Sequence, residues 1–279
     1  MSVIKNIAKQ ILPGFMLSSF KKSSDPSDNS FTGNYLTWAE AQNDSEGYDQ
    51  QQILEKVKDA SLKVKNGKAA YERDSVSFDK IEYSWQLLAA LLRIASMNNN
   101  TLSVLDFGGS LGTTYFQNRG FLSSLSKLEW NIVEQPNFAS YGKKFFEDDI
   151  LKFYSSLDEC IQNKIPQVII LSAVLQYLEN PFVLIQKIKE SGINHIIIDK
   201  TIFIQDDRDR IMIQHVPENI YKASYPVRFF NEEKFVAAFK ESFNLLSEFN
   251  CYEEYKLTFN GLKASYKGFI FERKNQILT

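Results

Sequence analysis

The sequence predicts an α/β fold: a mostly parallel, seven-stranded sheet covered by helices, closed by an antiparallel C-terminal strand pair and preceded by a helical N-terminal cap. Three observations predict it. Beyond Thr101, short apolar runs alternate with helical stretches at Leu102 to Phe107, Trp130 to Val133, Leu151 to Tyr154, Gln167 to Leu171 and His195 to Ile198. Five strands separated by helices imply a parallel sheet buried on both faces. The last part breaks this alternation, because Asn244 to Phe249 and Tyr266 to Phe271 have strand character with no convincing helix between them. The segments before Thr101 carry helical rather than strand periodicity.

Composition bounds the function. With 279 residues, 44% of them apolar, the chain is long enough for one large domain and an elaboration. Thirty-two Lys+Arg against 34 Asp+Glu leave a net charge of −2, and no basic run interleaved with aromatics occurs, which argues against a nucleic-acid partner. Two cysteines, Cys160 and Cys251, and two histidines, His195 and His215, sit in no metal-binding spacing, so neither a disulfide framework nor a metal site is expected. No apolar run approaches the roughly 20 residues of a membrane span, and no secretory signal is legible; the expected location is the cytoplasm.

Along the chain, residues 1–30 read as an amphipathic and flexible segment. Ile4, Ile7, Ile11 and Leu12 share a helical face before Pro13-Gly14, and Lys21 to Ser30 form a Ser/Asp/Pro-rich linker. The apolar face serves either weak contact with a membrane surface or partner, or docking on the protein itself. Residues 31–100 form the cap: Thr37 caps a helix with Trp38 and Ala41, a second carries Ile53, Val57, Ala60 and Val64, and a third runs from about Asp79 to the Asn98-Asn99-Asn100 break. Residues 101–279 form the main domain.

The sharpest signal is Val104-Leu105-Asp106-Phe107-Gly108-Gly109-Ser110-Leu111-Gly112, a buried strand running into a glycine-rich turn and a helix. Such glycines let a ligand approach the backbone, and the helix offers its first amides. A dinucleotide fingerprint would place glycine where Phe107 stands. The acid Asp106 at the strand end suits a cationic group better than a pyrophosphate, which favours S-adenosylmethionine over NAD. Glu134, at the end of the second strand, is placed to accept both hydroxyls of a ribose.

Further candidates lie at the carboxyl ends of the other strands. Ser155 stands where adenine would be read, although Ser156 equally suits a helix cap. Ser172 and Gln176 face the cofactor and Tyr177 the substrate if the fourth strand opens as expected. Asp199 reads as a general base or as a strand-end carboxylate paired with Lys200. His215, in the connection Asp206 to Phe230 with Tyr225 and Arg228, reads as a base for a hydroxyl or as a structural histidine. Tyr71, Arg73 and Tyr83 belong to a mixed charged and aromatic cluster suited to a lid over a polar ligand or to an interdomain strap.

The segments YERDSVSFDKIEYSW (Tyr71 to Trp85), VLDFGGSLGTTYFQNR (Val104 to Arg119), WNIVEQ (Trp130 to Gln135), LSAVLQYL (Leu171 to Leu178) and YPVRFF (Tyr225 to Phe230) together resemble a family of bacterial methyltransferases found among surface-polysaccharide (O-antigen and capsule) genes. The resemblance covers about Phe31 to Arg273. It implies a class I methyltransferase (Rossmann-like) fold and S-adenosylmethionine as cofactor, held by Asp106, Gly108, Gly109, Gly112 and Glu134. It implies no settled substrate. In the wider superfamily the loop reads acid-x-Gly-x-Gly-x-Gly; here Ser110 replaces its middle glycine.

The function expected from these features is O-methylation of a small polar acceptor, such as a sugar-derived glycan precursor, by in-line displacement, with His215 or Asp199 taking the hydroxyl proton. The rivals are a non-catalytic module that binds the cofactor within a glycan assembly complex, and an NAD-dependent sugar oxidoreductase.

Overall fold

A computed structural model describes residues 31–47, 50–73, 76–162, 164–216, 223–251, 257–259 and 262–274. The amphipathic and linker readings of residues 1–30 lie outside the described residues. In chain order the elements are β1 (Phe31–Tyr35), α1 (Trp38–Asp44), α2 (Gln50–Lys65), β2 (Tyr71–Arg73), β3 (Val76–Phe78), α3 (Trp85–Met97), β4 (Thr101–Phe107), α4 (Thr113–Leu122), β5 (Lys127–Val133), α5 (Pro136–Phe145), β6 (Leu151–Tyr154), α6 (Leu157–Ile161), β7 (Val168–Ser172), a 3₁₀ turn (Leu175–Tyr177), α7 (Pro181–Glu190), β8 (His195–Ile204), β9 (Arg210–His215), β10 (Ser224–Asn231), α8 (Glu232–Ala237), β11 (Phe243–Asn250), β12 (Leu257–Phe259) and β13 (Leu262–Arg273).

Among the described residues the main sheet runs β6-β5-β4-β7-β8-β13-β11. The first five strands are mutually parallel. β13 enters antiparallel between β8 and β11. This is the parallel ladder closed by an antiparallel C-terminal strand that the strand pattern predicts, with the reversed strand inserted beside the fifth parallel one.

The sheet forms because its strands are apolar on both faces. Ile196, Ile197 and Ile198 of β8 are fully buried, and each such side chain contributes about 2–3 kcal/mol of burial. One core cluster joins Val104, Trp130 and Ile197 to Leu88 and Leu91 of α3 and Phe116 of α4. The opposite cluster holds Leu105, Ile169 and Ile198 with Leu184 of α7 and a run of phenylalanines, in which Phe239 stacks on Phe271 at 4.4 Å. Helix α1 begins with the expected Thr37 cap, which forms a full capping box with Glu40. Helix α3 begins at Trp85 instead of Asp79 and ends at Met97, capped by Asn98, after which Asn99 and Asn100 take left-handed conformations that asparagine tolerates.

Two departures from the expected architecture shape the site. Residues 31–100 contribute three helices but also β1, which pairs with β9, and the β2–β3 hairpin. The connection after β8, expected as an irregular insertion, is a β9–β10 hairpin that with β1 makes a three-stranded antiparallel flap. Since β13 covers one edge of β8 throughout, β7 and β10 share the other: β7 pairs with His195 to Asp199, and β10 with Phe203 and Ile204. The flap thus begins where β7 stops, at the carboxyl end of the sheet.

Candidate functional site

Strand β4 delivers Asp106 to the carboxyl end of the sheet on the face that also carries Trp130. Its carboxylate is buried and accepts a hydrogen bond from Trp130 Nε1 at 3.1 Å. The backbone then turns through Gly108 (φ +74°), whose amide donates to the Val133 carbonyl at 2.9 Å. Gly109 lies directly over the carboxylate: a Cβ there would sit 2.6 Å from the Asp106 carboxyl group, so only glycine fits. Helix α4 starts at Thr113, one residue past the loop.

Ser110 takes a left-handed conformation (φ +55°), which glycine adopts without strain. That conformation costs a residue with a side chain about 1–2 kcal/mol, and the buried Ser110 hydroxyl has no hydrogen-bond partner among the described residues. Ser110→Gly is therefore expected to raise the unfolding free energy by about 1 kcal/mol after the entropic penalty of glycine. Chemical denaturation measures this, and a loss of stability would refute the strained-turn account.

Glu134, buried at the end of β5, folds back toward this loop. It accepts the Ser110 amide at 3.1 Å on one oxygen and the Gln135 amide at 2.7 Å on the other. Burial pushes Asp106 up to about 7, against the opposing pull of the Trp130 hydrogen bond and the Lys200 charge. Burial likewise pushes Glu134 up to about 8; its two backbone hydrogen bonds oppose this and the nearby Asp106 charge adds to it. Neither carboxylate forms an ion pair among the described residues. Beside them the two amide atoms of the buried Gln135 side chain are also without a partner. A cationic, hydroxyl-bearing ligand is what such a set of groups is suited to hold.

The other expected residues are distributed as follows. Ser155 gives both its amide and its hydroxyl to Glu159, while Ser156 caps α6, so this pair serves the helix start. Ser172 donates to Asp199 at 3.0 Å. Asp199 is buried and also receives Cys251 Sγ at 3.3 Å and Lys200 Nζ at 3.6 Å. The contact with Lys200 is the pairing that its sequence position left open beside the role of a base. Gln176 is fully buried and donates to the Lys200 carbonyl at 3.1 Å. Tyr177 is buried, donates to Gln214 Oε1 at 2.9 Å and packs edge-on against Tyr225 at 5.6 Å.

Strand alternation corrects the grouping of the flap residues. Gln214 and Tyr225 are directly paired and face inward onto Tyr177; their neighbours His215 and, three positions along, Arg228 lie on the opposite face. His215 is exposed there, 2.7 Å from Thr32 Oγ1 on β1. Arg228 lies over the Trp38 ring and pairs with Asp209 at 3.7 Å. The structure does not bring His215 to Asp106 and Glu134, nor Arg228 to Tyr225's side of the flap.

In the lid cluster, Tyr71 is buried against Phe78, and Tyr83 packs with Trp85 and Phe121 on the surface. The Arg73 side chain lies outside the described residues. Its neighbour Glu72 is the member that reaches the loop region: buried, it accepts from Thr113 Oγ1 at the first turn of α4, at 2.8 Å.

No protein-family model and no curated protein matches the chain. Solved structures do. It is similar to an S-adenosylmethionine-dependent methyltransferase from Clostridium acetobutylicum at 12% identity, over 68% of this chain and 92% of that one, with a TM-score of 0.42. The N-terminal domain of EvdMO1 with S-adenosylhomocysteine bound matches at 12% identity over 82% and 98%, with a TM-score of 0.44. An amino pentose methyltransferase from Micromonospora echinaspora involved in calicheamicin biosynthesis matches at 10% identity over 69% and 92%, also at 0.44.

Sequence reasoning missed Trp130, Gln135, Gln214 and Cys251 as site or supporting residues. Trp130 opens the predicted second strand and shares the parity of Glu134 along it, so strand alternation carried a usable signal for it, whereas Gln135 lies just past the strand end. Cys251 meets Asp199 from 52 residues away, and nothing local marks it.

Proposed function

We propose that the protein is an S-adenosylmethionine-dependent methyltransferase acting on a hydroxyl of a small polar acceptor of sugar or glycan-precursor type. The observation that carries this reading is the glycine turn laid between two buried carboxylates, Asp106 and Glu134, neither of which has an ion-pair partner among the described residues. A permanently cationic nucleoside answers both the charge and the hydroxyl-accepting geometry, whereas a dinucleotide's anionic pyrophosphate would meet repulsion. When bound, S-adenosylmethionine supplies an electrophilic methyl group on a sulfonium. Asp106 then balances charge beneath the loop, Glu134 holds the ribose hydroxyls, and the Ser110 hydroxyl and Gln135 amide supply hydrogen bonds that the protein leaves open.

Neither His215, on the outer face of the flap, nor Asp199, held by three partners, is assigned a proton in this reading. The rate enhancement rests on holding the acceptor oxygen in line with the methyl group. The resemblance to surface-polysaccharide methyltransferases supports the glycan-precursor class. No helix among the described residues is long and apolar enough to cross a membrane. Calorimetric titration of the full chain with S-adenosylmethionine tests the proposal, with micromolar binding expected. Absence of heat and of thermal stabilisation at millimolar ligand, or tighter binding of NAD, would overturn it.

A further inference from the structure

Two more buried amides stand at the carboxyl end of the sheet, one the sequence neighbour of Tyr177 and the other bonded to its hydroxyl. Gln176 spends its Nε2 on the Lys200 carbonyl, and its Oε1 has no partner among the described residues. Gln214, reaching in from the flap, spends its Oε1 on the Tyr177 hydroxyl, and its Nε2 has none. Both side chains are fully buried. Buried polar atoms in folded proteins are nearly always paired, because leaving one unpaired away from water costs stability. Here one acceptor and one donor are left over next to the same aromatic side chain, at the junction where β7 gives way to the flap.

We propose that Gln176 and Gln214 determine the acceptor's chemical class by reading a neutral hydroxyl group against Tyr177. This rests on the methyltransferase reading and adds to it the residues that select the acceptor. A hydroxyl is at once a donor and an acceptor, so it complements an amide carbonyl and an amide NH₂ together. An ammonium group has only donors to offer and would leave Gln214 Nε2 unanswered; a carboxylate has only acceptors and would leave Gln176 Oε1 so. Neither glutamine titrates, so the selection holds across neutral pH. Tyr177 and Tyr225, buried and packed edge-on at 5.6 Å, are the apolar side chains beside Gln214.

The test uses the full chain saturated with S-adenosylhomocysteine and three probes: methyl α-glucopyranoside, glucosamine and glucuronate, each titrated by ligand-observed NMR. S-adenosylhomocysteine binding is measured first, and its absence would sink the cofactor reading on its own account. With it bound, the neutral glycoside is expected to bind at least about tenfold more tightly than either charged sugar. Gln214→Met should weaken the glycoside at least tenfold while S-adenosylhomocysteine binding stays within threefold. Gln214→Glu, which keeps the acceptor for Tyr177 and removes the donor, should do the same. Preference for the amine or the carboxylate, no glycoside binding, or full glycoside binding by both variants overturns the proposal. The two variants separate recognition from packing, because loss of folding would remove S-adenosylhomocysteine binding too.

Discussion

Glu134→Ala is expected to weaken S-adenosylmethionine binding by at least about a hundredfold. A carboxylate accepting two hydroxyl hydrogen bonds contributes about 1.5–3 kcal/mol per bond, and two such bonds lost together exceed the roughly 2.7 kcal/mol that a hundredfold requires. In the ligand-free protein the same carboxylate is buried and accepts only backbone amides. Its removal relieves a desolvated acid while stranding two N–H groups, and these effects oppose each other, so the melting temperature should move by only a few degrees. Glu134→Gln keeps the shape and one acceptor and should lose less affinity. Calorimetry on the three proteins checks this; an alanine variant that binds within threefold of the wild type would remove Glu134 from the cofactor site.

The stabilisation conferred by S-adenosylmethionine is expected to grow as pH rises from about 6 to about 8.5. Asp106 and Glu134 titrate near 7 and 8 because burial disfavours their charged forms. Both folded values lie above the ordinary carboxyl range. Their contribution to stability is therefore fully present below about pH 4 and is lost as pH climbs through 7 and 8, where the unfolded chain has long since released protons that the folded one still holds. A cationic ligand favours the ionised carboxylates and releases those protons on binding, so affinity gains up to about tenfold per pH unit for each proton released. Ligand-free melting temperatures should fall across the same interval as the ligand-induced shift widens. A shift that is flat or shrinks with pH would mean that the two acids do not face the ligand's charge.

The strand ladder and the glycine turn with its two buried acids were legible because both are written locally. Val104 to Gly112 contains its own strand, its acid and its turn, and Glu134 closes the next apolar run. Even the Ser110 substitution was visible, though only the structure shows its left-handed conformation. The flap was not legible. β1 pairs with β9, as in Phe31 opposite Gln214, across more than 180 residues, and the charged stretch Asp206 to Arg210 between β8 and β9 reads as loop. Without that pairing the alternation of β10 had no face to refer to, so Tyr225 and Arg228 were read as one group. His215 was placed by residue type, in a segment whose strand geometry turns it outward.

The flap also sets how this site can change over time. Its wall is pleated backbone, tied to the rim of β8 at Phe203 and Ile204 and backed by α1. A wall of that kind presents alternate residues to opposite sides: Met212, Gln214, Tyr225 and Val227 share the inner face, and Ile213, His215 and Arg228 the outer one. If the proposed function holds, new acceptor preferences would arise by swapping single inner side chains on a fixed frame, with the glycine turn left untouched.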